Sequence, residues 1–243
     1  MKSSLTRSTA AGRAYLDLRG LAQRTGQLTD DVLQSYILEG FLARLSASKY
    51  SSQLVLKGGV LLAAYELRRS TRDIDIQASQ VSNSLDEVTQ IVTDIALLPR
   101  EDGIDFDIKA IRAAVIREDD AYSGVRVRID SRLATAKFPL HVDVNVGDPI
   151  WPPPRPVELP CLLGGAIKLV GYPIPMILAE KIVQLRSSNG RVGGGVSAVT
   201  NCQQTLLRSL PVSQHSLIQS FSATPMACPG HRLCSGGSLP SVR

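Results

Sequence analysis

Two short segments of this chain carry residue types that can do chemistry. The first is Leu56-Lys57-Gly58-Gly59 and the second is Thr71-Arg72-Asp73-Ile74-Asp75. On a strand, residues i and i+2 point to one face, so Asp73 and Asp75 project together while Ile74 enters the opposite layer. Two carboxylates at that spacing can bind hard cations such as Mg²⁺. Gly58 and Gly59 let backbone amides approach a phosphate, and a helix beginning there adds the positive end of its dipole. A triphosphate bound at that turn would share its ions with the carboxylates. Two ions ~4 Å apart can activate an attacking hydroxyl and stabilise a leaving pyrophosphate.

A third carboxylate lies in His141-Val142-Asp143-Val144-Asn145, whose alternation sets Asp143 on one face with His141 and Asn145. A charged side chain amid those valines is costly unless it has a partner. If this strand neighbours that of Asp73 and Asp75, Asp143 completes a triad. Taken singly, a Gly-Gly pair marks a turn and an Asp-x-Asp marks a solvated strand face. Their order points further: strand, Gly-Gly, helix, strand, then a later strand with Asp143 fit a nucleotide–metal site.

The surrounding pattern supplies elements to hold these residues. Apolar spacing predicts helices over 14–23 and 31–45, the second capped by Thr29 or Asp30. A short apolar strand covers 53–56, the Gly-Gly pair breaks it, and 60–67 reads as a helix. Residues 72–77 alternate as a strand, and 85–97 is helical with Val88, Ile91, Val92 and Ile95 on one face. Three alternating runs, 106–116, 125–129 and 140–146, suggest an antiparallel continuation of the sheet. A Pro-rich crossing follows over 149–156, then an edge strand over 157–162, and a helix from about 176 to 186 behind Pro173 and Pro175. The plan is α+β with a mixed, largely antiparallel sheet, two helices before it, and no internal repeat.

Composition narrows the reading. The 243 residues carry a net charge of +5 and a pI of about 9.2, which invites a nucleic-acid partner. That charge is uneven. Residues 1–188 hold 23 basic and 22 acidic side chains, a net +1, whereas 189–243 hold four arginines, no lysine and no acid, a net +4. The latter stretch also holds nine Ser, seven Gly and four Pro, so it reads as a low-order tail after a folded domain over 1–188. Within that domain, 12–48 is the helical part and 52–186 the core. No apolar run reaches the ~18 residues of a membrane span, and the first 13 residues lack the apolar stretch of a secretory signal. A cytoplasmic chain is expected, with no membrane partner, and with Cys161, Cys202, Cys228 and Cys234 as thiols rather than a disulfide framework. The cysteines and His231 of the tail fit no strong zinc spacing. Arg68, Arg69 and Arg72 flank the candidate site, and Arg126, Arg128 and Lys137 lie on strands nearby. They suit phosphate contact, and equally a solvated strand face.

At Leu56-Lys57-Gly58-Gly59, Arg69-x-Thr71-Arg72-Asp73-Ile74-Asp75 and Ala179-Glu180-Lys181 the chain resembles the abortive-infection toxin nucleotidyltransferases of the AbiEii/AbiGii type. These belong to the DNA polymerase β-like nucleotidyltransferase superfamily. Supporting pieces are 117–126 and Pro139-Leu140-x-Val142-Asp143-Val144, and the likeness runs from about residue 12 to 186. The resemblance implies the polymerase β-like fold, a nucleoside triphosphate donor, two Mg²⁺ ions, tRNA as acceptor, and a cognate antitoxin encoded nearby. It implies that Gly58 and Gly59 contact the triphosphate, with Lys57 and Arg72 as weaker candidates that can equally pair with acids. It implies that Asp73, Asp75 and Asp143 hold the metals, with Asp143 as base, and that Lys181 reaches the phosphates. Family members continue with a Lys/Arg-Asp-x-x-Asp helix, which nothing after Ser188 matches. A frameshift after about residue 186 would explain this. Two alternatives follow: an inactive remnant of such a toxin, or a module that binds nucleic acid through its basic tail.

Overall fold

The computed structural model describes residues 5–65, 71–116, 124–147 and 150–177. The helix expected over 176–186, Lys181, and the tail over 189–243 with its three cysteines therefore lie outside the described residues, except for a helical turn at 174–177.

Two helices come first. In α1 (Ala10–Thr25), Thr9 Oγ1 accepts from the Gly12 amide at 3.1 Å, and Gly26 ends the helix at φ +67°. Helix α2 (Thr29–Ala47) starts two residues earlier than expected, at one of its expected caps. Leu28 holds the cap position without a side-chain bond, so Thr29 and Asp30 lie inside the first turn. There Asp30 and Asp31 face the positive end of the helix dipole.

Helix α2 is more deeply buried than an amphipathic surface helix, because its polar side chains serve as ties. Gln34 Nε2 donates to the Pro139 carbonyl at 3.2 Å, and both Glu39 oxygens accept from the Leu162 amide at 3.2 and 3.0 Å. Ser46 Oγ donates to the Lys168 carbonyl at 2.7 Å. Buried Arg44 donates to both Asp102 oxygens at 2.6 and 3.1 Å and to the Leu98 carbonyl at 2.9 Å.

Seven strands follow: β1 (Leu54–Lys57), β2 (Asp73–Ala78), β3 (Ile104–Ile116), β4 (Gly124–Leu133), β5 (Ala136–Val146), β6 (Arg155–Pro160) and β7 (Ala166–Gly171). They form one sheet in the order β3-β4-β5-β2-β1-β7-β6. The β2–β5 and β1–β7 pairs are parallel and the other four are antiparallel. The sheet is thus mixed and largely antiparallel, as its alternation predicted. Helix α4 (Leu85–Ala96) follows β2, with the Ser84 hydroxyl accepting from the Glu87 amide at its start.

Two local expectations change. The helix expected over 60–67 is a single turn, α3 (Gly58–Leu61), that tightens into a 3-10 turn over Leu62–Tyr65. A further strand, β7, comes after the expected edge strand and lies between β1 and that edge strand, β6. Its Ile167, Leu169 and Gly171 alternate inward with Ala166, Lys168 and Val170. The flanking glycines 164 and 165, both at positive φ, masked that pattern as loop.

One face of the central strands is apolar. Leu56, Ile74, Ile76, Val125, Val127, Val142 and Val144 are all buried in one core with α1, α2 and α4. At about 25 cal/mol per Å² of apolar surface removed from water, this layer is the main stabilising term of the domain. The opposite face of the same strands carries the polar residues.

Candidate active site

Strand pairing places the candidate residues in rows across that polar face. Lys57 on β1 pairs with Asp75 on β2, Asp75 with Asp143 on β5, and Asp143 with Arg126 on β4. Cross-strand partners share a face, so the row reads base, acid, acid, base. One rung along β2, Asp73 pairs with His141, and His141 with Arg128. On the other side, Gln77 pairs with Asn145, and Asn145 with Gly124. The condition set by the sequence is met: the Asp143 strand is the direct neighbour of the Asp73/Asp75 strand.

Each carboxylate has its own surroundings. Asp143 is mostly buried and receives two hydrogen bonds from one guanidinium, Arg126 Nε to Oδ1 and Nη2 to Oδ2, both at 2.7 Å. This is the partner that a mostly buried carboxylate requires. The hydrogen bond to Asp143 pushes the Arg126 pKa upward against partial desolvation, and the charges of Asp143, Asp73 and Asp75 push the same way. Asp73 is more open, and its Oδ1 lies 3.1 Å from His141 Nδ1.

Asp75 packs against the turn. A Cβ built on Gly58 would collide with Asp75 Oδ2, and Gly58 has φ +69°. Only glycine meets both demands, since left-handed backbone disfavours a side chain and the space is already filled. The Gly-Gly backbone is thereby brought directly beside a candidate metal ligand. Because α3 is one turn long, little macrodipole can build up at its start. The backbone of the half-buried turn is then its main candidate feature for a phosphate.

The remaining candidates are placed differently. Lys57 is buried, its ammonium 3.5 Å from Gln77 Oε1 and 5.7 Å from the centre of the Tyr172 ring. Tyr172 Oη is also 3.5 Å from Gln77 Oε1, so a buried polar cluster flanks Asp75. Arg72 is exposed at the entry to β2. Gly59 lies in the first turn of α3, half-buried. Lys181 lies outside the described residues. Arg126 was legible as a strand-face arginine but not as the partner of Asp143. The signal was available: if 125–129 and 140–146 are antiparallel neighbours, a cation on one belongs opposite the acid on the other.

Asp73, Asp75 and Asp143 are hard oxygen donors on one face of two adjacent strands, which suits Mg²⁺ in kind. Among the described residues, no three His, Cys, Asp or Glu side chains are gathered as a ready-made metal site. The bidentate grip of Arg126 accounts for the third carboxylate being engaged elsewhere.

A Gly-Gly turn beside paired strand carboxylates, on a mixed α+β sheet, defines the class of site. The chain belongs to the AbiEii nucleotidyltransferase toxin family. The family described as nucleotidyl transferase AbiEii toxin, type IV toxin–antitoxin system, matches residues 40–192. Two solved structures from Helicobacter pylori are similar to the chain. JHP933 does so at 14% identity and a TM-score of 0.46, covering 79% of this chain and 74% of its own. A candidate nucleotidyltransferase does so at 15% identity and a TM-score of 0.40, covering 63% of this chain and 58% of its own. No curated protein matches the chain. No helix among the described residues is long and apolar enough to cross a membrane.

Proposed function

We propose that this protein is a metal-dependent nucleotidyltransferase toxin that transfers a nucleotide from an NTP to a tRNA acceptor and is restrained by a cognate antitoxin. One observation carries the reading: in a member of this family, Asp75 and Asp143 are in-register partners on parallel strands, with the Gly58 backbone packed against Asp75. In this scheme the backbone of Gly58 and Gly59 receives the triphosphate, and Lys181 and Arg72 supply positive charge to it. Lys57 holds its place in the row beside Asp75. Asp73, Asp75 and Asp143 would hold divalent ions, which when bound neutralise the triphosphate and the leaving pyrophosphate. The acceptor hydroxyl oxygen forms a bond to the α-phosphorus, the bond to the β-phosphate bridging oxygen breaks, and pyrophosphate leaves. Asp143 takes the hydroxyl proton. His141, hydrogen-bonded to Asp73, fixes the orientation of that carboxylate.

The test is incubation of the protein with each radiolabelled NTP, Mg²⁺ and total tRNA. Label is expected in tRNA with the wild type and none with Asp73→Ala, a loss of at least about a hundredfold for a metal-binding carboxylate. A folded wild type that labels nothing with any of the four NTPs rejects the activity. That outcome supports a second reading, an inactive remnant whose later codons are out of frame. It is favoured by one observation: the family match ends at residue 192, close to where acids and lysines cease. The gene sequence over codons 180–200 decides it, because an out-of-frame origin requires a Lys/Arg-Asp helix encoded in another frame.

A further inference from the structure

We infer that Arg126 is a built-in cation standing on the third carboxylate, and that a divalent ion entering the site must take Asp143 from it. This rests on the metal-site reading above and adds a regulating residue to it.

The charge row supplies the argument. Lys57, Asp75, Asp143 and Arg126 are consecutive cross-strand partners, so within this row each acid already stands beside a base, with Asp73 one rung away. A divalent ion on Asp143 needs carboxylate oxygens that a base already holds, and that base must yield. Lys57 is 6% exposed and lies over Tyr172, so it cannot withdraw without unpacking the sheet. The Arg126 side chain is 45% exposed, whereas that of Asp143 is 11% exposed. The carboxylate is therefore fixed, and the guanidinium is free to swing into water. Both Asp143 oxygens are used by the fork, Oδ1 by Nε and Oδ2 by Nη2, so this bidentate pairing competes directly for the ion's donor atoms. Its upward-shifted pKa, driven first by the Asp143 hydrogen bond and then by the charges of all three acids, agrees with a cation seated in their common field.

The experiment measures Mn²⁺ binding to the full chain by calorimetry and by the loss of the free-ion paramagnetic signal. Arg126→Gln, which removes the competing charge, is expected to tighten Mn²⁺ binding by about tenfold or more, as one unit charge a few ångströms away implies. Arg126→Lys keeps the charge without the fork and is expected to fall between, and it carries the test if the glutamine variant does not fold. Without metal, Arg126→Gln is expected to melt below the wild type, and saturating Mn²⁺ should close the gap. Binding to the wild type that Asp75→Asn abolishes but Arg126→Gln leaves unchanged or weakens overturns the inference while the metal site stands. Absence of Mn²⁺ binding in the wild type and both Arg126 variants overturns both.

Discussion

The smallest feature on which the site depends is one missing methyl group. Gly58 has positive φ, and its Cα faces the Asp75 carboxylate so closely that a Cβ would collide with it. Gly58→Ala therefore pays twice, in backbone strain of about 1–2 kcal/mol and in displacement of Asp75. The expected result is a melting temperature lower by several degrees together with a loss of Mn²⁺ affinity. A variant that melts lower yet binds Mn²⁺ normally would show that the Asp75 contact is structural only. Much of this scale was readable in advance. Asp73 and Asp75 share a face because strands alternate, and a carboxylate such as Asp143 on a strand inside the sheet needs a partner. What could not be read was which partner, since Arg126 meets Asp143 only after the β4–β5 register is set.

At the scale of elements, the site depends on how firmly the sheet is held, and α2 ties several of its parts together. Its side chains reach β5 through Gln34, the β6–β7 turn through Glu39, β7 through Ser46, and the segment before β3 through Arg44. The last tie is the driest. Arg44 and Asp102 are both buried, Arg44 lies 5.1 Å over the Phe106 ring, and Asp102 also accepts from the Ile104 amide. The neighbouring Tyr36 phenol, which donates to the Asp102 carbonyl, is pushed up to about 12, first by burial and then by the Asp102 charge. Removing one partner of such a pair leaves a buried charge alone. Asp102→Ala is expected to cost about 3–5 kcal/mol, measured as the change in urea midpoint at constant slope. A cost below about 1 kcal/mol, the range of exposed pairs, would mean that water reaches Arg44 here. Periodicity located α2 but mistook its nature, because buried Gln34, Glu39 and Arg44 look like a solvent face until their distant partners are in place. Strand β7 was overlooked for a related reason: its alternation is six residues long, and its neighbour β1 is more than 100 residues away in the chain.

The whole molecule is where charge has to be judged. A net +5 suggests a basic protein that binds nucleic acid, yet residues 1–188 come to only +1. Within the described part, several arginines are paired with acids of the chain: Arg44 with buried Asp102, Arg126 with mostly buried Asp143, and, at the surface, Arg128 with Asp130 and Arg132 with Asp105. The family match closes at residue 192, and every residue assigned a chemical role lies before it. We therefore propose that residues beyond it add electrostatic attraction and no chemistry. A chain ending at Gly193 is expected to label tRNA at an undiminished rate when RNA is saturating. Its RNA affinity at low salt should fall, because three of the four tail arginines, Arg208, Arg232 and Arg243, are gone. If each contacts a phosphate, the slope of log affinity against log salt should drop by about 0.7 per contact, or about 2 in all. Filter binding across a salt series reads that slope, and single-turnover labelling reads the rate. A shortened chain that folds, binds RNA and no longer labels it would place part of the catalytic machinery in the tail. The basic charge of the molecule would then belong to its chemistry after all.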